Sequence, residues 1–583
     1  MNNQEIAKIF YEMAQYLEMQ GVAFKPQAYQ KAALNLETLE EDAADIYKNE
    51  CIEGLKRIPG VGEGIAKKIE EYLKTGKIKE YERLKKKTPV TLEELTGVEG
   101  LGPKKIKTLY QKLKIKNLKD LEKTAKTHKI APLFGFGEKT EKNILEGIEF
   151  LKRSKGRFLL GEILPTAENI IENLKSLKEV KRISLAGSVR RMKETIGDVD
   201  ILATLKTRTD AEKVVDFFVS LPGVVKIWGK GPTKASIRLK KGFDVDLRVL
   251  PEKQFGSALQ YFTGSKEHNI ILRKIAIDKG LKLSEYGLFR GPKMIAGGRE
   301  EEIYEKLGLQ WIPPELRENQ GEIEAAQTHQ LPQLVNYSDI KGDLHCHSHW
   351  GADAYRQTGK KMIEEIAKEA AALGYEYVGI SDHTKFLRIE HGLDEKQLAK
   401  QRKEIDKLNW KLEIGNWKFK ILQGCEANIM SDGSIDIKDE ALKKLDYVIA
   451  GIHSQMKMSK EKMTERIIKA MRNKNVDIIS HPTGRILKQR DEYEIDFDKI
   501  LRAAKETGTI LEINANPYRL DLNDKNIKKV KEIGAKMIIS SDAHQSEQMR
   551  FVEYGVSQAR RGWAEKGDII NCWPAENMLK ILK

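Results

Sequence analysis

The chain has 583 residues, 40% of them hydrophobic and 32% charged, which suits several globular units and excludes a disordered chain. Its formal net charge of +15 fits a polyanionic partner, although basic surfaces are common enough that charge alone decides little. No apolar run reaches the ~18–20 residues of a membrane span, and four scattered cysteines without C-x-x-C spacing exclude a disulfide framework or a cysteine-rich zinc site.

The opening residues MNNQEIAKIF lack the basic and apolar blocks of a secretory leader, so a cytoplasmic protein is expected. Residues 1–87 and 88–152 read as two sets of short helices with lysine-rich turns, each containing a glycine hairpin. The first runs Ile58-Pro59-Gly60-Val61-Gly62 and continues through Gly64; the second spans Gly97 to Gly102, with Gly100, Leu101-Gly102-Pro103 and then Lys104 and Lys105. Glycines next to a helix start turn backbone N–H groups outward, a geometry that holds a phosphate without reading a base. The flanking lysines, Lys67 and Lys68 among them, add a salt-sensitive attraction.

Together with KPQAYQKAA (25–33) and GEGIAKKIEEYLKTGK (62–77), the first hairpin resembles the lyase subdomain of family X DNA polymerases, the DNA polymerase beta group. The resemblance implies a Schiff-base nucleophile at Lys68, its pKa lowered by neighbours such as Lys67, Lys31 and Lys25. The family's auxiliary lysine is Gly64 here. A plain phosphate contact at Lys68 stays open.

In the middle zone, GDVDIL places Asp198 and Asp200 two residues apart, on one face of a strand. Asp246 in FDVDLRV supplies a third carboxylate if the strands are neighbours, and three carboxylates suit a pair of Mg²⁺ ions. The preceding Gly187-Ser188-Val189-Arg190-Arg191 offers a hydroxyl, amides and guanidinium groups to a triphosphate. The order G-S-x-R-R, then Gly197-Asp198-x-Asp200, resembles the nucleotidyltransferase signature of the same family. YFTGSKEHNIILR (261–273) is similar to the family's nucleotide pocket. That likeness implies Tyr261 and Phe262 beside the sugar, Gly264 in the turn, Asn269 at the base edge and Arg273 at the template. It also gives the metal to Asp246 rather than Asp244, while a serine of the family is Ile196 here. A palm over 153–262 and a thumb over 263–318 are expected, then a polar linker over 319–338.

From residue 339 to 583, seven apolar strand candidates alternate with helical segments: DLHCHS, YEYVGISDH, FKILQGCE, LDYVIAGIH, VDIISHP, GTILEIN and KMIISSDAH. That pattern predicts a parallel α/β barrel of about seven strands. His345, His347, Asp353, His383, Glu426, His453, His481, Asp542 and His544 fall at or near strand ends, where a barrel gathers them on one face. Imidazole with carboxylate suits Mn²⁺, Fe²⁺ or Zn²⁺. Nine groups exceed one ion's needs and imply two or three, with Glu426 a candidate bridge. Cys425 reads as core and His349 as surface; Arg519 is either a phosphate contact or a surface residue. The pattern resembles the PHP domain, named for polymerases and histidinol phosphatases, whose members hydrolyse phosphoesters.

The expectation is a multidomain protein: helix-hairpin-helix units, an α+β nucleotidyltransferase palm with thumb, and a PHP barrel. By resemblance it fills short gaps in DNA repair with deoxynucleoside triphosphates, using Mg²⁺. A Mn²⁺- or Zn²⁺-dependent 3′-5′ exonuclease or abasic-site endonuclease is expected, as a monomer acting on gapped, nicked or abasic DNA. Deoxyribose-phosphate lyase activity is a further expectation. A purely structural PHP domain and a small-molecule phosphoesterase of the histidinol phosphatase type remain as rivals.

Overall fold

The computed structural model describes residues 3–582 apart from 23, 38, 40–41, 59, 97, 99–100, 155, 349, 351–355, 388–391, 415–418 and 489. Gly100 and Asp353, with Pro59, Gly97 and His349, therefore lie outside the described residues.

From Asn3 to Ser154 the described elements are helices. Helix Glu63–Thr75 shows why: Ile65, Ala66, Ile69 and Tyr72 recur at helical spacing and are buried, while lysines and glutamates cover the outer face. The stretches 1–87 and 88–152 do not form separate cores, because a single hydrophobic cluster runs from Ile6 to Ile148. Tyr16 ties them further by donating its hydroxyl to the Val90 carbonyl at 3.2 Å.

The palm begins with β1 (Phe158–Leu159) and contains β2 (Val180–Leu185), β3 (Thr195–Ile196), β4 (Asp198–Leu205), β5 (Val224–Gly231), β6 (Lys234–Leu239) and β7 (Asp244–Leu250). Its main sheet has the order β2-β4-β7-β6-β5; β4 and β7 run parallel, and the other pairs are antiparallel. Val199, Ile201 and Ala203 of β4 and Val245 and Leu247 of β7 are buried in one cluster with helices Leu160–Lys175 and Ala211–Val219. The two-residue period of a strand then leaves the intervening aspartates on the opposite face.

The thumb adds helices Phe255–Thr263, Lys266–Asp278 and Glu300–Leu307 around β8 (Lys282–Ser284), β9 (Gly287–Arg290) and β10 (Lys293–Ala296). The stretch 319–338, expected as a polar linker, is folded onto the thumb. It carries helix Glu322–Gln327, and Ile323, Ala326 and Leu334 join the thumb core. Buried Glu322 accepts from the amides of Asn319 and Gln320 and lies 2.7 Å from the His268 ring. A few apolar residues at the right spacing are enough to bury a segment whose composition is polar.

The C-terminal domain contains β11 (Gly342–Cys346), β12 (Tyr377–Ile380), β13 (Lys420–Gln423), β14 (Glu426–Asn428), β15 (Ile449–Gly451), β16 (Ile478–Ile479), β17 (Ile510–Asn514) and β18 (Met537–Ser540). All seven expected runs are strands, and FKILQGCE supplies both β13 and β14. The ladder is not continuous: β11-β12-β13 and β14-β15-β16-β17-β18 are separate parallel sheets. Isolated parallel bridges, His383–Glu426 and Cys346–Ala543, sit at the two seams. Leu344, Tyr377, Leu422, Ile449, Ile478, Ile510 and Ile538, from seven strands, meet in one interior cluster. Cys425 is buried in the outer core, as expected. Among the described residues, no helix is long and apolar enough to cross a membrane.

Candidate active sites

In the palm, the parallel register sets Asp198 opposite Asp244 and Asp200 opposite Asp246. The four acids do not play equivalent parts. Trp228 Nε1 donates to Asp244 Oδ1 at 2.9 Å, and Arg238 holds both Asp244 oxygens at 2.8 Å. Asp244 is thereby committed to the sheet, and Asp198, Asp200 and Asp246 are the three acids of this face without such a clamp. Burial pushes the Asp200 carboxyl up to about 7, with Asp198 and Asp246 adding repulsion. Asp198 is raised as well, by burial first and then by repulsion from Asp246 and Asp244. Crowded carboxylates that resist ionisation are a donor set suited to divalent cations.

Gly187 and Ser188 open the short helix Gly187–Arg190 beside this face. Gly197 precedes Asp198 directly, and a Cβ there would meet Arg157 at an ordinary 3.7 Å. Both arginines of the expected triphosphate loop are engaged. Arg190 makes a two-pronged pair with Glu300 at 2.8 and 2.9 Å and donates to Thr263 Oγ1 at 2.7 Å. Arg191 bonds Glu318 at 2.9 Å and the Thr263 carbonyl. Glu318 is held down to about 2: burial opposes ionisation, but Arg561, Arg191 and Lys193 outweigh it.

The expected pocket residues do come together. The rings of Tyr261 and Phe262 meet edge-on at 5.2 Å, Asn269 donates to the Tyr261 carbonyl at 2.7 Å, and Arg273 lies 5.7 Å from the Tyr261 ring. Gly264 takes a left-handed φ of 70°, and a Cβ there would press on Arg191 at 3.0 Å. Two residues escaped sequence reasoning. Arg157 lies close enough to Asp198 to favour its ionised form, and no motif contains it. Arg248 stacks on Phe262 at 4.6 Å and acts likewise on Asp200. The alternation Asp244, Asp246, Arg248 along β7 was a signal that pointed to it.

In the C-terminal domain, Glu426 lies at the centre of five histidines. Its oxygens are 3.3 Å from His345, 3.7 Å from His347, 2.9 Å from His383, 3.2 Å from His453 and 3.0 Å from His481. Asp542 lies 3.6, 3.3 and 3.8 Å from His345, His347 and His544. Three ligand groups suited to an ion follow: His347 with His383 and His544; His345 with His347 and Asp542; His383 with Glu426 and His453. His345 Nε2, both His347 nitrogens, His383 Nδ1 and His453 Nε2 are buried without a hydrogen-bond partner. Orphaned imidazole nitrogens gathered around two carboxylates fit a cluster of divalent cations.

Glu512 was not singled out in the sequence. It bonds His345 Nδ1 at 2.6 Å and the His481 amide at 2.7 Å, fixing which His345 nitrogen faces the cluster. Burial works against the His345 cation, yet Glu512, Glu426 and Asp542 raise its pKa well above the usual value. Glu426 is held well below the carboxylate range, since His453, His345 and His383 outweigh its burial. His481 and Asp542 take left-handed backbone, φ 30° and 55°. Non-glycine residues keep that conformation only where their surroundings enforce it.

The two hairpins share one geometry. Val61 N–H donates to the Ile58 carbonyl at 3.0 Å, and Leu101 N–H to the Val98 carbonyl at 3.1 Å. Gly62 and Gly102 cap the next helices with nearly the same backbone, φ −83° and −80°. Gly60 needs its left-handed φ of 81°, while Gly62, Gly64 and Gly102 face open space. Lys104 is exposed and Lys105 half-buried. A related turn, Leu133 to Gly137, was missed: Phe136 N–H donates to the Leu133 carbonyl at 3.0 Å and Gly135 has a left-handed φ of 85°, but Gly137, at φ 72°, departs from the backbone of Gly62 and Gly102.

The lysine environment differs from expectation. Lys67 turns outward to Glu63, whereas Lys68 pairs with Glu80 at 2.9 Å and donates to the Gly64 carbonyl at 3.2 Å. Burial alone would lower the Lys68 pKa, but the Glu80 hydrogen bond leads the effects that raise it. The neighbouring cations do not depress it, because a carboxylate from the following helix neutralises the site.

Family models match four stretches: a helix-hairpin-helix domain over residues 1–78, a SAM-like helix-hairpin-helix tandem over 92–149, a DNA polymerase beta thumb over 258–318 and a PHP domain over 343–516. A Bacillus subtilis (strain 168) protein named DNA polymerase/3′-5′ exonuclease PolX is 36% identical over 588 residues, covering all of both chains. The chain belongs to the family X DNA polymerases with a C-terminal PHP domain. Probable phosphatases match only part of this family X chain. One from Thermoanaerobacter sp. (strain X514) is 34% identical over 215 residues, 35% of the chain and 79% of the relative. One from Acetivibrio thermocellus is 30% identical over 210 residues, 35% and 78% respectively. The PHP match stops at residue 516, yet the fold returns Asp542 and His544 to the same cluster.

Proposed function

We propose that this chain adds deoxynucleotides to DNA at short gaps from its palm and hydrolyses DNA phosphodiesters at its PHP site. The hydrolysis would be a 3′-5′ exonuclease reaction and abasic-site cleavage. The supporting observation is that a full-length relative named for both activities aligns across two centres that each gather their expected acids and histidines.

Asp198, Asp200 and Asp246 would hold Mg²⁺, and the eight described PHP ligands would hold two or three Mn²⁺ or Zn²⁺ ions. Bound there, such ions supply charge neutralisation of the reacting phosphates and an activated oxygen nucleophile. The protein's own groups do the rest. Gly187 lets the loop approach Asp200, and Asn269 fixes the Tyr261 backbone beside the sugar position. Arg191 exchanges Glu318 for the incoming triphosphate. Glu512 keeps His345 in one tautomer. The hairpin amides and Lys104, Lys105 and Lys68 hold gapped, nicked or abasic DNA by its backbone. We place the protein in the cytoplasm as a monomer.

The deciding experiment is primer extension on single-nucleotide-gap DNA beside exonuclease digestion of the same primer, with Asp246→Ala and Asp542→Ala. Extension should vanish only in the first variant and digestion only in the second. Loss of both in the same variant overturns the two-centre assignment. The phosphatase relatives favour a second reading, a small-molecule phosphoesterase. Turnover of histidinol phosphate without turnover of DNA would establish that alternative.

A further inference from the structure

The loop after β17, residues 515–522, brings Arg519 to the PHP cluster. Arg519 Nε lies 3.7 Å from Asp542 Oδ2, and its Nη1 is buried without a hydrogen-bond partner. Two residues of this loop, Pro517 and Leu520, pack against the polymerase palm. Pro517 rests on Gly161 at the start of helix Leu160–Lys175, where any Cβ would collide with the proline ring. Leu520, 1% exposed, is buried in the palm core with a left-handed φ of 45°. Its carbonyl accepts from Arg485, which makes a two-pronged pair with palm Glu194. Gln558 donates to the same carboxylate. Next in the chain, Asp521 accepts from the amides of Thr483 and Gly484, which leave His481.

We propose that Glu194 is a positioning residue for the PHP reaction: acting from the palm through Arg485 and the Leu520 carbonyl, it fixes the loop that points Arg519 at the substrate phosphate. The inference rests on the PHP site being a phosphodiesterase. Its physical basis is the fate of a buried guanidinium. Without the Glu194 charge, the carboxylates left near Arg485 are Asp521 and Glu492. A swing towards Asp521 competes with the Thr483 and Gly484 amides and releases Leu520. Arg519 then loses its aim while the metal ligands stay in place.

The test uses full-length Glu194→Gln, Glu194→Asp and Arg519→Lys. Three quantities are measured: amide hydrogen exchange over 515–522, Mn²⁺ bound per chain, and kcat and KM for Mn²⁺-dependent exonuclease action. Glu194→Gln should speed exchange in that loop and lower kcat/KM by about tenfold to a hundredfold, the usual effect of removing a supporting partner. The loss should fall mainly on KM, as in Arg519→Lys, with bound Mn²⁺ unchanged and Glu194→Asp restoring much of both. Wild-type exchange in Glu194→Gln overturns the proposal, as does faster exchange with unchanged kcat/KM. Should the wild-type chain itself not cut DNA, the nuclease reading fails, and exchange alone decides whether Glu194 clamps the loop. If Glu194→Gln melts the whole chain early, Arg485→Lys, which keeps the charge but loses the two-pronged fork, is read by the same criteria.

Discussion

A Cβ placed at Gly187 would lie 2.7 Å from a carboxylate oxygen of Asp200. Gly187 also takes a left-handed φ of 65°, so any side chain is strained there and displaces a proposed metal ligand. Gly187→Ala should cut nucleotide addition by about a hundredfold, the cost of a misplacement near 1 Å. Exonuclease activity should be retained. Single-turnover gap filling checks the first outcome, and equal filling rates would refute the role given to Gly187.

Asp200 links the palm to pH. Its folded pKa of about 7 lies above the usual carboxylate value because burial, then Asp198 and Asp246, disfavour the charge. The folded, metal-free protein therefore binds a proton that the unfolded chain releases, and stability falls as pH rises from about 4 to about 7. Asp200→Asn removes that penalty. In chelator at pH 8 it should raise the melting temperature by a few degrees, while Mg²⁺ should stabilise the wild type and not the variant. Calorimetry with and without Mg²⁺ tests both statements.

Glu426 faces five histidines, so replacing it leaves several buried imidazoles without a carboxylate. Glu426→Ala should bind fewer Mn²⁺ ions per chain and lose exonuclease activity by at least about a hundredfold, with gap filling preserved. Mn²⁺ should support the wild-type nuclease better than Mg²⁺, since imidazole prefers the softer ion. Elemental analysis of purified protein gives the metal count. Full Mn²⁺ occupancy in the variant would remove Glu426 from the cluster.

A Schiff-base role at Lys68, as opposed to a phosphate contact, needs a neutral amine, and Glu80 holds Lys68 as an ammonium. Borohydride trapping of incised abasic DNA should be weak near neutral pH and rise steadily towards pH 9. Glu80→Gln removes the leading effect that raises the pKa, while burial still lowers it. Trapping at pH 7.5 should then increase several-fold, and Lys68→Ala should abolish it. Trapping that ignores both changes would assign the chemistry to another lysine.

Features that depend on near neighbours in the chain were legible. The spacing of Asp198 and Asp200 fixes a shared strand face, and Gly60 and Gly102 mark turns whose shape depends on a few residues. The seven apolar runs became strands because strand period and burial are local properties. The segment 319–338 was misread because its composition is polar, whereas Ile323, Ala326 and Leu334 find a surface only after the thumb has formed.

The chain's own order of residues thus determined the two families of motifs, the acid pair on β4 and the histidines at successive strand ends. Tertiary structure alone decided which charge meets which. Glu80 comes to Lys68 from the next helix, Arg238 claims Asp244 from a neighbouring strand, and Glu512 reaches His345 across 167 residues. Arg485 reaches Glu194 across 291 residues. Backbone period is set by adjacent residues, so it can be read along the sequence. Which charges pair depends on surfaces that meet only when the chain folds, and the period of a strand or helix does not encode it.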